Sequence, residues 1–448
     1  MLRVEERSPS PSPSLPPWSS RSPSTSPFPF PSVSISQPSA AASKSPEGEP
    51  EHVFIFFWFT SGPIAYSLYS VDAPPVPSVI NSVPYSSKPE SSSSCDHHHQ
   101  VLSKSDNTRT IYPILEFPSG DYADWMCCVE LGSKVYFLGG VPHGNQSGPL
   151  PRDVFVLDAR AACTSNHCSS DKELLKKGTP MNTGKPYPYV FVALGRIFVI
   201  SARLQYNNWK DEQLSWFEVY DPDTNRWVSM PNPPVDVWVE GHTVVDRKVF
   251  LVGTDSRVLY FNLDNSVWVS FPKYGSLCRS AYYGRGEFVE DTLYACYNRT
   301  IVAFGGANYS QSDQGHHDDK PEGLFYHKAF LPPEMVDAIY GDEYYSPDRS
   351  PYLVPFGNRT FCHVLASSLP DPSNPIYLED SERFHIRLTV FEALKDTYTE
   401  SFYGVETTYF RANVLRSADY VATSRCGAIV PGLLQGCFSV SFSAGKTQ

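Results

Sequence analysis

Three consecutive histidines, His97, His98 and His99, stand beside Cys95 and Asp96. Imidazole, thiolate and carboxylate are the usual ligands of transition metals, so this run has the residue types to hold one. A resident site also needs neighbours that orient its ligands, and the surrounding SSKPESSSSCDHHHQ is Ser-rich and supplies none. His316, His317, Asp318 and Asp319 repeat the combination in a second polar stretch. Both read as exposed loops. The phosphate-cradling loop, the Ser nucleophile elbow and the HExxH zinc signature are all missing from the chain. The expectation is therefore no catalytic set, no cofactor and no metal centre.

The bulk numbers bound the class. The 448 residues carry 14% aromatics and 41 prolines against only 19% charged residues, which suits a β-rich globular protein with many turns. A net charge of −12 lacks the basic stripe that phosphate neutralisation needs, so nucleic acid is not expected as a partner. The most apolar run, VFIFFWF at 53–59, is too short to cross a bilayer and reads as a buried strand. No membrane association is expected. Ten scattered cysteines, without a CxxC pair and mostly inside apolar stretches, behave as small hydrophobes. That favours a reduced, intracellular chain in the cytoplasm or nucleus.

Residues 1–50 are about half Ser and Pro and cannot bury a core. They read as a disordered tail, with the domain proper at 51–448. A second low-complexity stretch, 86–110, reads as a long loop, and DKELLKK at 171–177 as a short helical turn.

The remainder is organised by a repeat. KVYFLGG (134–140), RIFVISA (196–202), KVFLVGT (248–254), TIVAFGG (300–306) and TFCHVLAS (360–367) are apolar strands that each end on two small residues, and FIFFWFTS (54–61) has the same form. The last five recur roughly every 50–60 residues, a period typical of propellers. Each is followed by a partner strand: SWFEVYD (215–221) after the second. There Asp221-Pro222-Asp223-Thr224-Asn225 makes a turn, since Pro presets φ and Asp and Asn cap the backbone locally. Trp227 opens the next strand, and Trp268 holds the same place one unit later. A further strand precedes each small-pair strand after the first, as at 126–131, 190–194 and 242–246. Each unit is thus a four-stranded meander, the construction of a propeller blade.

This pattern resembles the kelch repeat. The residues that carry the likeness are Gly139-Gly140 and Gly305-Gly306 for the two glycines, Gly253 in the looser unit, Tyr220-Asp221 at the strand end, and Trp227 and Trp268 for the aromatic. The chain from about 50 onward is similar to divergent plant kelch proteins, many of which carry an F-box. The resemblance implies an all-β, six-bladed propeller. The first unit lacks a strand before its small-pair strand, and the C-terminus has a surplus. Residues 418–430 are expected to supply the missing strand and remove an exposed edge.

The same fold hosts enzymes. Galactose oxidase needs two His, two Tyr and a crosslinking Cys around copper, and no stretch of this chain aligns to that set. Plant specifier proteins resemble one another in an iron-associated E-x3-D-x3-H triplet. Here Glu392-x3-Asp396 is followed by Glu400, and Glu287-x3-Asp291 by Ala295, so the His is missing both times. LPPEMVDAIY (331–340) looks like the start of an F-box but falls inside the repeat region, and no F-box is identified.

The expected function is a non-enzymatic scaffold that docks another protein through its loop faces. A finer form makes it the substrate-recognition module of a ubiquitin ligase, with Skp1- and cullin-type partners. A kelch-fold enzyme or metal-dependent modifier is the alternative. The insertions 141–152, 159–187, 203–214, 307–322 and 368–384 are the candidate contact loops, and several are acidic (Asp313, Asp318, Asp319; Asp371, Glu379, Asp380, Glu382), which suits a basic partner.

Overall fold

A computed structural model describes residues 52–59, 62–72, 108–145, 149–164, 174–201, 215–235, 238–253, 257–270, 282–290, 292–297, 300–305, 327–330, 352–357, 359–368, 383–402, 405–423 and 432–440. The Ser/Pro tail, the His97–His99 and His316–Asp319 runs, the 331–340 stretch, Gly306 and the acidic residues of 313–319 and 371–382 lie outside them.

Nearly every described element is a strand, and antiparallel pairing groups the strands in fours, the last three groups being joined into one larger sheet by parallel pairing of 241–243 with 284–286 and of 329–330 with 408–409. The second ladder is β5 (Cys127–Leu131), β6 (Lys134–Leu138), β7 (Val154–Asp158) and β8 (Leu175–Lys177). The third is β9 (Pro188–Ala193), β10 (Arg196–Ser201), β11 (Phe217–Asp221) and β12 (Arg226–Ser229). The fourth is β13 (Val239–Val245), β14 (Lys248–Gly253), β15 (Val258–Asn262) and β16 (Val267–Ser270). The fifth is β17 (Tyr283–Val289), β18 (Thr292–Tyr297), β19 (Thr300–Gly305) and β20 (His327–Phe330). The sixth is β21 (Tyr352–Gly357), β22 (Thr360–Ser368), β23 (Arg383–Phe402) and β24 (Val405–Thr423). The first ladder combines β1 (His52–Phe59), β2 (Ile64–Asp72) and β4 (Leu115–Pro118) with the C-terminal β25 (Gly432–Val440), which pairs antiparallel with β1.

The sequence explains these hairpins locally. First and second strands are joined by two-residue turns that need left-handed backbone. Leu194 and Gly195 adopt φ of 49° and 69°, and Asp246 has 53°. At the 221–226 turn the Asp221 carboxylate accepts the Asp223 N–H at 3.0 Å, while Tyr220 Oη donates to the Asn225 side chain at 2.8 Å. Asn262 repeats the Asp221 role one unit later, accepting the Asp264 N–H at 2.9 Å.

The core lies between ladders. β1 reads as a continuous apolar run because both of its faces are covered. Val53, Ile55, Phe57 and Phe59 pack with Cys362, Val364, Leu388 and Val390 of the sixth ladder, while Phe54, Phe56 and Trp58 pack with Cys128, Val135 and Phe137 of the second. Alternate side chains of a strand point to opposite faces, so one sequence serves two interfaces. The same division recurs at each consecutive pair of ladders. First strands also touch in succession: β25 with β5, β5 with β9, β9 with β13, β13 with β17, β17 with β21, and β21 with β25.

Four sequence readings are corrected here. Residues 418–423 belong to β24, where Ala418 and Tyr420 pair with Leu388 and Ile386, so the strand that joins β1 is 432–440. Of the helical turn read at 171–177, residues 171–173 lie outside the described residues, Leu174 is helical and Leu175–Lys177 form an edge strand on β7; a further helix is α1 (Ala159–Thr164), capped by the Asp158 carboxylate on the Ala161 N–H. Arg109 and Thr110, at the end of the 86–110 loop, belong to β3 (Arg109–Ile111), which pairs parallel with β24. Finally, TIVAFG is the third strand of its ladder and not the second. Gly305 therefore sits at the opposite end from Gly139, and β18 (TLYACY) holds the second place.

Candidate binding face

One end of the ladders is built by the ends of second strands and the starts of first strands: Leu138 with Cys127, Ser201 with Pro188, Gly253 with Val239 and Phe59 with Gly432. Gly139 and Gly140 lie there with φ of 73° and 99°. A Cβ on Gly139 would stand 2.6 Å from the Pro188 ring, and one on Gly140 2.4 Å from the carbonyl oxygen of Asp124. Only glycine fits both demands. The Gly140 N–H donates to the Lys185 carbonyl at 2.9 Å, which draws residues 181–188 of the next ladder onto the pair. In later units the chain turns differently, and Ser201 and Gly253 donate within their own ladders to Trp216 and Arg257.

Beneath that contact is a buried ion pair. Glu218 and Lys185 side chains are both 0% exposed. The Glu218 carboxylate accepts the Asn182 and Thr183 N–H groups, each at 2.9 Å, the Thr183 hydroxyl at 2.7 Å, and the Lys185 ammonium. Burial pushes the Lys185 ammonium below its ordinary pKa, while the Glu218 carboxylate pulls it back up. Glu218 is therefore a clamp that holds the 181–185 segment in place.

The tryptophans at the fourth-strand position tie neighbouring ladders together. Trp227, 6% exposed, donates its indole N–H to the Thr179 carbonyl at 2.9 Å and lies 5.2 Å from the Tyr220 ring. Trp268 donates to the Pro231 carbonyl at 2.7 Å and packs on Phe217 and Phe261 at 5.1 and 4.8 Å. Both carbonyls belong to the stretch that follows the preceding ladder.

First strands are bound side chain by side chain. Cys127 Sγ donates to the Pro188 carbonyl at 2.7 Å, and Tyr189 Oη lies 2.9 Å from His242 Nδ1 and 3.2 Å from the Gly284 carbonyl. Burial raises the Cys127 thiol to about 12 and pushes Cys128 and Cys437 well up, so these thiols are not nucleophiles at neutral pH. Burial, with Arg285 as a second cause, lowers His242 to about 3. Below its unfolded value near 6.5 the unfolded chain takes up a proton that the native chain refuses. His242 therefore costs stability as pH falls from about 6.5 toward 3, by up to about 1.4 kcal/mol per pH unit, and nothing above that window. His242→Phe is expected to flatten the fall in unfolding free energy between pH 6 and pH 4.5. An unchanged slope in urea titrations at both pH values would show that His242 is not held neutral.

An arc of aromatic rings edges this face. Trp58 lies 4.0 Å from Trp125, Trp125 5.6 Å from Tyr187, and Tyr187 5.9 Å from Trp238. Trp125, Tyr187 and Trp238 each come just before a first strand and are part-exposed. Trp125 and Tyr187 hold φ of 62° and 46°. A bulky residue in left-handed backbone costs on the order of 1–3 kcal/mol and persists only where the surroundings impose it. Beside the arc, Asp124 accepts His143 Nδ1 at 3.0 Å and the Gly144 N–H at 3.1 Å. A cleft of about 210 Å³ opens next to this group, lined by Asp121, Tyr122, His143, Asp153 and Phe155 among others.

Sequence reasoning named Gly139, Gly140, Tyr220, Asp221, Trp227 and Trp268 as kelch positions, and the structure places these around the second, third and fourth ladders. It missed the arc. The signal was present, since Trp125, Tyr187 and Trp238 recur at the spacing of the repeat itself. Among the described residues no group of three or more His, Cys, Asp or Glu is arranged to hold a metal ion, and no helix is long and apolar enough to cross a membrane.

No family model matches the chain. Over 175 residues, 35% of its length, it is 30% identical to an F-box/kelch-repeat protein of Arabidopsis thaliana. That alignment spans 38% of the relative, so the chain matches about two-fifths of that protein's length. The solved structure of YjhT aligns with 63% of this chain and 85% of its own at 15% identity and a TM-score of 0.35.

Proposed function

We propose that this kelch-like chain is a non-catalytic scaffold, a six-bladed propeller whose first blade is completed by β25, and that it docks another protein on the face edged by the aromatic arc. The arc carries the reading. Trp and Tyr that are firmly seated yet part-exposed are the side chains that dominate protein interfaces, and here Trp125, Tyr187 and Trp238 are so placed in succession at one end of the ladders, with the buried Trp58 behind them. The succession of first-strand contacts and the β25–β1 pairing support the blade count and its closure. Gly139, Gly140, Tyr220, Asp221, Trp227, Gly253 and Trp268 are the kelch positions in this reading. The F-box/kelch name of the relative supports a role as a ligase recognition module, with Skp1- and cullin-type partners. The buried thiols Cys128, Cys296 and Cys362 suit a reducing compartment, cytoplasm or nucleus.

The test compares the wild-type chain with a Tyr187→Ala/Trp238→Ala variant as baits in an extract of cells that express the protein, with melting temperature and bound metal measured in parallel. A partner recovered by the wild type and lost by an equally stable variant supports docking at the arc. Equal recovery by both baits overturns it, and stoichiometric copper or iron with no partner would make the chain an enzyme or modifier. Skp1- and cullin-type subunits among the recovered proteins would support the ligase role.

A further inference from the structure

We infer that the cleft beside the arc receives an arginine side chain from the docking partner, so that the partner presents a basic segment; this rests on the docking reading above. The walls of the cleft include two aromatic rings in edge contact, Tyr122 and Phe155, with centroids 5.0 Å apart. Two carboxylates, Asp121 and Asp153, line the same cleft, and Asp124 adjoins it with one oxygen on His143 and the other on the Gly144 N–H.

A planar guanidinium is the group that combines both surfaces. It stacks on an aromatic face and offers forked donors to a carboxylate. The protein already displays the combination with its own chain. The Lys177 ammonium lies 5.9 Å from the Phe155 ring centroid and 2.9 Å from the Asp153 carboxylate. Lys177 and Arg152 are the basic groups nearby, and Arg152 is turned away to donate to the Met181 carbonyl at 2.7 Å. With Lys177 paired to Asp153 and Arg152 turned away, Asp121 and Asp124 keep the neighbourhood negative on a chain of net charge −12. A basic segment is thus steered to this face, whereas an acidic one is repelled. The cleft has room for one long side chain, which sets the recognition unit at a single arginine flanked by contacts to the arc.

The probe is a short Ser/Gly peptide with arginines at alternate positions, and its control replaces every arginine by glutamine. Binding to the full chain is followed by tryptophan fluorescence and by calorimetry at two salt concentrations. The arginine peptide is expected to bind at least about tenfold more tightly than the glutamine peptide and to weaken with salt. Asp121→Asn combined with Tyr122→Leu is expected to lower its affinity about tenfold. Asp121→Asn alone, at an exposed position, guards against loss of folding and should still weaken binding measurably. Equal binding of the two peptides, or affinity untouched in both variants, overturns the inference. Should a partner depend on Tyr187 and Trp238 while the arginine peptide fails to bind, the inference falls and the docking face stands.

Discussion

Glu218→Ala lowers the free energy of unfolding by about 3–5 kcal/mol, the cost of removing one partner from a buried ion pair. The carboxylate is fully buried and accepts two backbone N–H groups, a hydroxyl and an ammonium. Its removal takes the acceptor from the Asn182 and Thr183 N–H groups and leaves a buried ammonium without its counter-charge, while the Thr183 hydroxyl keeps the Ser215 carbonyl at 2.7 Å and Lys185 the Thr183 carbonyl at 2.9 Å. The opposite deletion is milder. Lys185→Met leaves Glu218 with three of its donors, and the expected cost is about 1–3 kcal/mol. The order of the two variants decides the point. If urea titrations rank Lys185→Met as the more damaging, the ammonium rather than the carboxylate organises the 181–185 segment. The consequence reaches the candidate face, because the same segment delivers the Lys185 carbonyl to Gly140 and the Tyr187 ring to the arc.

Trp227→Ala is expected to cost about 3–5 kcal/mol through the cavity it leaves between the second and third ladders. The ring is 6% exposed and shares a core cluster with Tyr136 and Leu138 of one ladder and Ile197 and Tyr220 of the other. Trp227→Phe keeps most of the volume and loses the indole bond to Thr179, so about 1 kcal/mol is expected beyond the volume change. A loss under about 0.5 kcal/mol for the alanine variant would mark the residue as peripheral to stability. Trp268 is less buried and should respond in the same direction but more weakly.

Much of the ladder framework was legible because a strand writes its environment into consecutive residues. VFIFFWF announces two covered faces, Asp-Pro-Asp-Thr-Asn announces a turn, and the recurrence of small pairs and Trp announces repetition. Periodicity misled where small residues arose for a different reason. TIVAFGG matches KVYFLGG letter for letter in type, yet one is a third strand and the other a second. Strand type does not encode strand order, since the second and third strands of a ladder are both largely buried and apolar, as β14 and β15 are. Likewise 418–423 was as good a closing strand as 432–440 by composition. β23 pairs with it instead, in unbroken register from Arg383 opposite Thr423 to Leu388 opposite Ala418.

The candidate face was the least legible part. Gly139 and Gly140 are readable as a pair, but their need for glycine comes from Pro188 and the Asp124 carbonyl, which arrive from other segments. The Lys185–Glu218 pair spans two ladders, and neither residue stands out in sequence. By itself the amino-acid sequence determined the all-β class and the recurrence of apolar strand and polar turn, because these depend on local alternation and turn chemistry. Only the tertiary structure decided which strand completes the first ladder, which acid is buried with which base, and that Trp58, Trp125, Tyr187 and Trp238 meet. Those are contacts between distant segments, and they exist only once the ladders have packed.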